Sequence, residues 1–393
     1  MWFTSWPRYW KRQASPRKQP AFRPTLEALE DRWVPSTLIV RNNLDSAAGS
    51  LRAEIAAAHS GDTIIFAPSL DGQTITLTSG QLIIKKNLTI AGPGAGQLTI
   101  SGNHASRVFE VAKMENVSLS GLTISNAYSG TSGYGGAIET YGTLTVSNSA
   151  LAYNSAFAGG GIYNHASGTL MVSNSILSND TATNAGGGIN NDGTVTVSGS
   201  TLSGNSAQQI GGGIANGGTL TVSGSILSGN SANHGGGIWN DGTAMVSGGS
   251  TLLGNSTTSG TGVGGGIYNI RNLTVSDSTL SRNSGEVGGG IYNLGTLTVS
   301  ASNLSGNTAN NDGGGIENYG TLTVSGSTLS ANVAAYRGGG IANFGTATVE
   351  NSSSITGNSA PLGFGADVYN HFVLNLDSIS TIGILDGNAA VPI

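Results

Sequence analysis

The sequence predicts an all-β chain wound as a single-stranded parallel β-helix solenoid of about a dozen coils, and three observations predict it. A unit of about 25 residues recurs from 134 to 370, reading G-G-G-I-x-N, then G-T-L-T-V-S, then S-T-L-S-G-N-S. Each copy holds three short apolar–polar alternations, the period of a half-buried strand, separated by the Gly, Asn and Ser that turns use. Glycine reaches 63 of 393 residues while charged residues make up only 9%. That balance fits turn chemistry inside a folded repeat rather than a self-repelling linker.

Three segments succeed one another in chain order. Residues 1–36 hold seven of the 16 basic residues and three of the 21 acidic ones, with Trp2, Trp6, Trp10 and Trp33 among five prolines. They lack the uninterrupted apolar run of a secretory signal or membrane span, and read as a basic, disordered leader or sorting segment. Residues 37–133 read as a short capping helix and irregular N-terminal coils. Leu51, Ile55 and Ala58 share a face at helical spacing, with Ser50 placed as cap and Gly61 as stop. A helix there would shield the open end of the core. Alternating pairs from Ile75/Leu77 to Leu122/Ile124 supply three irregular coils. Residues 134–393 hold the regular repeats and the C-terminal end.

The repeat positions form columns. The isoleucine of G-G-G-I runs from Ile138 to Ile341, with Val368 as a tenth member, and asparagine comes two residues later from Asn164 to Asn370, with Thr140 in its place at the first. A further column reads Asn154, Asn179, Asn205, Asn230, Asn255, Asn283, Asn307, Asn332 and Asn358. If each unit is one turn, equivalent positions stack about 4.8 Å apart and the amides form ladders that satisfy buried turn backbone. About four apolar side chains per coil point inward. The glycines before each isoleucine are placed for positive φ, and the wider spacing between Ile238 and Ile267 puts Thr257–Val263 in a loop.

Several function classes are excluded or disfavoured. The chain has no cysteine, so disulfides and thiolate metal sites are out. Outside the leader acids outnumber bases, and nucleic-acid binding needs the reverse on a clustered surface. No transmembrane segment, cofactor motif or metal-ligand spacing stands out.

Catalysis on a solenoid needs convergent carboxylates or an acidic cation site. His165 and Asp192 share a column in adjacent coils, and Asp241 comes two coils later, roughly 10 Å from Asp192. His104, Arg107 and Glu110 form a local polar set. All of these read first as polar turn residues, with His165, Asp192 and Asp241 as the catalytic candidates. The outward column after the isoleucine places Trp239, Tyr268 and Tyr292 on three successive coils. Turned to solvent, such a row suits the faces of sugar rings. The Thr-x-Thr pairs, such as Thr194/Thr196 and Thr219/Thr221, would build a hydroxyl array interrupted by Met171 and Met245.

Three resemblances add expectations. Gly135-Gly136-Ala137-Ile138 and Leu202-Ser203-Gly204-Asn205 resemble the paired G-G-A-[I/L/V] and F-x-x-N of polymorphic outer-membrane protein repeats, with Leu for Phe. Ser50–Glu54 together with Gly61–Phe66 resembles the C-S-L-R-E-A and G-D-T-I-x-F segment of right-handed β-helix proteins, with Gly49 for the cysteine and the Glu-Ala order swapped. Thr25 to Ser36 resembles the L-E-x-R-x-x-P motif of exported planctomycete repeat proteins. Together they imply a right-handed, pectin-lyase-like helix, secreted or on the cell surface in association with an outer membrane. The expected role is structural or adhesin-like, without catalysis or cofactor, contacting polysaccharide or cell-envelope glycans through Trp239, Tyr268 and Tyr292. A polysaccharide lyase or glycoside hydrolase on the same fold is the alternative, and resemblance of the Thr-x-Thr face to ice-binding helices supplies a second.

Overall fold

The structure, a computed structural model, describes residues 2, 4–5, 34–361 and 364–393. Most of the leader, with most of the Thr25–Ser36 motif, lies outside them. The chain divides into two units, residues 1–34 and 35–393, and the second is the solenoid.

Each regular coil contributes four strands rather than three. One coil shows the order: Ile189–Asn191, Thr194–Ser198, Thr201–Ser203 and Ser206–Ala207. Stacked coil on coil, these give four parallel sheets, numbered first to fourth in that order, of 13, 15, 13 and 8 strands. Like pairs with like: Ile162, Ile189 and Ile214 are register partners, as are Asn164, Asn191 and Asn216. The fourth sheet escapes sequence reading because its strands are mostly two residues long, too short to alternate.

Inside, the same coil buries Ile189, Val195, Val197 and Leu202 completely and Ala207 almost so. Four such side chains stabilise by roughly 1.5–3 kcal/mol each, which offsets the ordering of a coil only where neighbours stack on both sides. The apolar core is accordingly one continuous cluster from Val40 to Leu374. The first glycine of each triplet turns the corner into this core. Gly186, at φ +64°, has no room for a β-carbon, which would lie 2.4 Å from the Ile189 carbonyl oxygen.

Three polar ladders run beside the apolar one. At the end of the first sheet each asparagine Nδ2 donates to the next Oδ1 at 2.7–2.8 Å, from Asn164 through to Asn370. A second ladder lies along the third sheet, where Asn205 Nδ2 donates to Asn230 Oδ1 and to the Leu177 carbonyl, both at 3.0 Å. Its second rung is Asp180, not Asn179 as the column of asparagines suggested. Asp180 Oδ1 accepts from the Asn154 backbone and side chain, while Asn179 sits at φ +55° in the turn position that Gly204 holds one coil later. The third ladder is of serines, Ser149 to Ser380. From Ser175 onward each Oγ accepts the N–H of the serine one coil earlier, as Ser200 Oγ does from Ser175 at 3.1 Å, except at Ser278, because the Ser250 N–H turns to the Ser247 carbonyl instead.

At the N-terminal end, helix α1 spans Leu51–Ala57 and buries Leu51 and Ile55. Ser50 caps it as expected, its side chain accepting from the Ala53 N–H. The helix ends before Gly61, where Ala58 turns extended, and Lys86 Nζ donates to the Ile55 and Ala58 carbonyls at 3.1 and 2.5 Å. Residues 258–261, within the expected loop, are exposed.

Candidate functional site: a trough on the first sheet

The outer face of the first sheet carries one outward side chain per coil, which gives a column along the solenoid: Glu139, Tyr163, Asn190, Ala215, Trp239, Tyr268, Tyr292 and Glu317. Two borders rise beside it. The chain before each glycine triplet supplies Tyr134, Ile210 and His234, tied coil to coil by parallel bridges. The turn after each strand of this sheet supplies Tyr141, His165, Asp192 and, further along, Tyr319 and Phe344. The expected aromatic stripe is therefore the floor of a trough rather than a free ridge. Trp239, Tyr268 and Tyr292 are half-buried. Tyr268 and Tyr292 meet edge to face at 5.3 Å, and the contacts continue through Tyr319 to Phe344.

One rung of the trough is hollow. Where neighbouring coils carry a large floor residue and a polar wall residue, this coil has Ala215 and Gly217. The result is a notch of about 320 Å³ bounded by Trp239 on one side, Tyr163, Asn190 and Asp192 on the other, with Asn184 and Ile210 at the border. That volume suits a single sugar residue at the lower end of ligand-sized pockets. Asp192 Oδ2 accepts from the Tyr163 hydroxyl. Asp192 Oδ1 leans over Gly217, where a β-carbon would lie 3.4 Å away. Burial, and then the Asp192 carboxylate, push the Tyr163 phenol well above its ordinary range, so it stays a hydrogen-bond donor at neutral pH.

Beyond Tyr163 lies a denser polar set. Glu139, almost fully buried, receives Arg107 on Oε2 at 2.6 Å, and on Oε1 the Tyr141 hydroxyl at 2.9 Å and His165 Nε2 at 2.8 Å. Burial works against the Glu139 charge, but His165, Arg107 and Tyr141 outweigh it and hold the carboxyl below its usual range. Tyr141, desolvated and facing that carboxylate, is pushed up to about 12. Arg107 also reaches Gln81 Oε1 at 2.7 Å and Glu110 at 3.3 Å. His165 stacks on Tyr141 at 3.8 Å and packs against Tyr163 at 4.5 Å.

A second buried acid lies at the other end. Glu317, 1% exposed, is pushed up to about 9 by burial and the nearby Asp312. Asp312 is raised too, by its own burial, with Arg337 opposing. Glu317 is sealed beneath its neighbours and offers no surface to a ligand.

The sequence candidates thus divide. Trp239 and Asp192 meet in the notch, and His165 joins them through Tyr163 rather than by touching Asp192. Asp241 is spent on an exposed pair with Arg271 at 2.7 Å and stays outside the notch. Tyr268 and Tyr292 extend the floor. Of the local set, Arg107 and Glu110 enter the Glu139 cluster, whereas His104 lies in a turn at φ +53°. The small residues were the missed signal: Ala215 and Gly217 break two columns in the same coil. On the second sheet Met171 and Met245 stand exposed among the threonines and break the hydroxyl array. Among the described residues there is no cluster of three metal-ligating side chains, and no helix long and apolar enough to cross a membrane.

No family model and no curated protein matches the chain. Among solved structures, a mannuronic acid-specific polysaccharide family 6 lyase from human gut microbiota aligns over 91% of both chains at 9% identity and a TM-score of 0.37. The PL6 family alginate lyase AlyGC aligns over 91% of this chain and 53% of its own at 14% identity and a TM-score of 0.34, so the chain spans about half its length. Likeness this distant brings neither substrate nor chemistry to this chain.

Proposed function

We propose that this chain is an exported cell-surface protein that holds a polysaccharide along the trough of its first sheet, with the notch as the anchoring subsite. The observation that carries the reading is the hollow rung: a bare methyl at Ala215 and no side chain at Gly217 open a sugar-sized space against an indole face and beside a carboxylate and a carboxamide. Rings stack on the apolar faces of sugars while carboxylates and amides bind their hydroxyls. The half-buried floor of Tyr268 and Tyr292 extends that platform over two more coils, about 10 Å. Export rests on the resemblance of Thr25 to Ser36 and is part of the same proposal.

Cleavage of the bound chain is the second reading, favoured by the Tyr163–Asp192 pair beside Glu139 and His165. Binding to a glycan array by the full chain and by a Trp239→Ala/Tyr268→Ala/Tyr292→Ala variant tests both. Selective binding lost in the triple variant is expected, and scission of the bound glycan, abolished by Asp192→Asn, would add catalysis. An intact chain that binds no glycan, or a triple variant that binds as well, contradicts the proposal.

A further inference from the structure

Resting on the glycan reading of the trough, we propose that the notch selects sugars bearing no carboxylate, so that the polysaccharide held is uncharged rather than a polyuronate. The charge around the notch points there. Asp192 is the charged side chain among the residues that line it, and its Oδ1 faces the hollow above Gly217. The cations nearby are already engaged. Arg107 is clamped by Glu139, Glu110 and Gln81. Arg271 is paired with Asp241. His165 bonds Glu139. His234, on the border toward Tyr268, is kept neutral by burial.

A uronate in the notch would place its carboxylate within a few ångströms of Asp192 with no free guanidinium or ammonium to answer it. Like charges at that separation, in the dielectric of a partly enclosed site, disfavour binding by about two orders of magnitude. A neutral sugar meets the opposite situation. Its hydroxyls donate to Asp192 Oδ1, accept from the carboxamides of Asn184 and Asn190, and leave its apolar face to Trp239. Specificity here arises from an uncompensated charge set against the wrong ligand as much as from contacts with the right one.

Calorimetric titration of the full chain separates the possibilities, using uncharged hexasaccharides of glucose, mannose, xylose and galactose against hexagalacturonate and hexamannuronate. At least one uncharged hexamer is expected to bind about 100-fold tighter than either uronate at low salt, with the gap narrowing at least tenfold in Asp192→Asn. Uronate binding equal to or tighter than the best neutral hexamer, and weakened by Trp239→Ala, would overturn the selectivity while leaving the glycan trough intact. A gap unchanged in Asp192→Asn would remove that carboxylate as its cause. Failure of every hexamer to bind would overturn both the selectivity and the trough.

Discussion

At the scale of the single residue, Asp180 shows most clearly how position outranks residue type in this fold. It stands in a ladder whose rungs from Asn205 to Asn358 are all amides, with Oδ1 accepting from Asn154 and Oδ2 buried without a partner. Burial, opposed by the two bonds from Asn154, pushes its carboxyl up to about 8. The protonated acid then imitates an asparagine. The folded state holds a proton that the unfolded chain releases near pH 3.8, so stability falls as pH rises from about 3.8 to about 8. The slope over that window is about 1.4 kcal/mol per pH unit. Asp180→Asn is expected to remove its share of the slope, leaving that of the raised Glu317 and Asp312, and to raise stability at pH 8 by a few kcal/mol, read as a shift in denaturant midpoint across a pH series. A variant with the wild-type slope would mean that Asp180 is ionised in the fold. The sequence S-N-D-T offered an asparagine one place too early. Only alignment with S-G-N-S in the next coil, where Gly204 takes the left-handed turn, reveals that Asn179 stands in for a glycine.

At the scale of the element, the ladders explain how coils so rich in Gly, Ser and Thr hold together. An interior rung such as Asn230 makes four side-chain bonds: Nδ2 to Leu202 and Asn255, and Oδ1 from the backbone and side chain of Asn205. Asn230→Ala strands those partners in a dry interior, and a loss of about 3–5 kcal/mol is expected from the unpaired groups. Asn179→Gly, one turn residue outside the ladder, is expected to be neutral or slightly stabilising, since glycine takes positive φ without strain. Equal effects of the two changes in chemical denaturation would contradict this division between ladder and turn. Much at this scale was legible in advance, because columns of Ile, Leu, Val and Asn at a fixed spacing can satisfy a core only by stacking. The fourth sheet and the serine ladder were not, since two-residue strands carry no period and serine is as common in turns as in ladders.

At the scale of the whole molecule, a solenoid of repeated coils acquires a site where its repetition fails. Trp239 and Asp192 could be picked out in the sequence as an outward aromatic and a polar turn residue. Their convergence depended on the two small residues between them, Ala215 and Gly217, and small residues in a chain so rich in them give no motif. Arg107 likewise read only as one of a local polar set with His104 and Glu110 until stacking brought it within 2.6 Å of Glu139. Trp239 is the single tryptophan after residue 33, so replacing Trp2, Trp6, Trp10 and Trp33 by phenylalanine in the full chain leaves one indole, at the wall of the notch. Its fluorescence during titration with the tightest-binding uncharged hexasaccharide is the most direct test of the glycan trough. A saturable change with a blue shift, as the sugar displaces water from the half-buried ring, is the predicted result; saturating binding that leaves the Trp239 emission unmoved would place the ligand elsewhere and contradict the account.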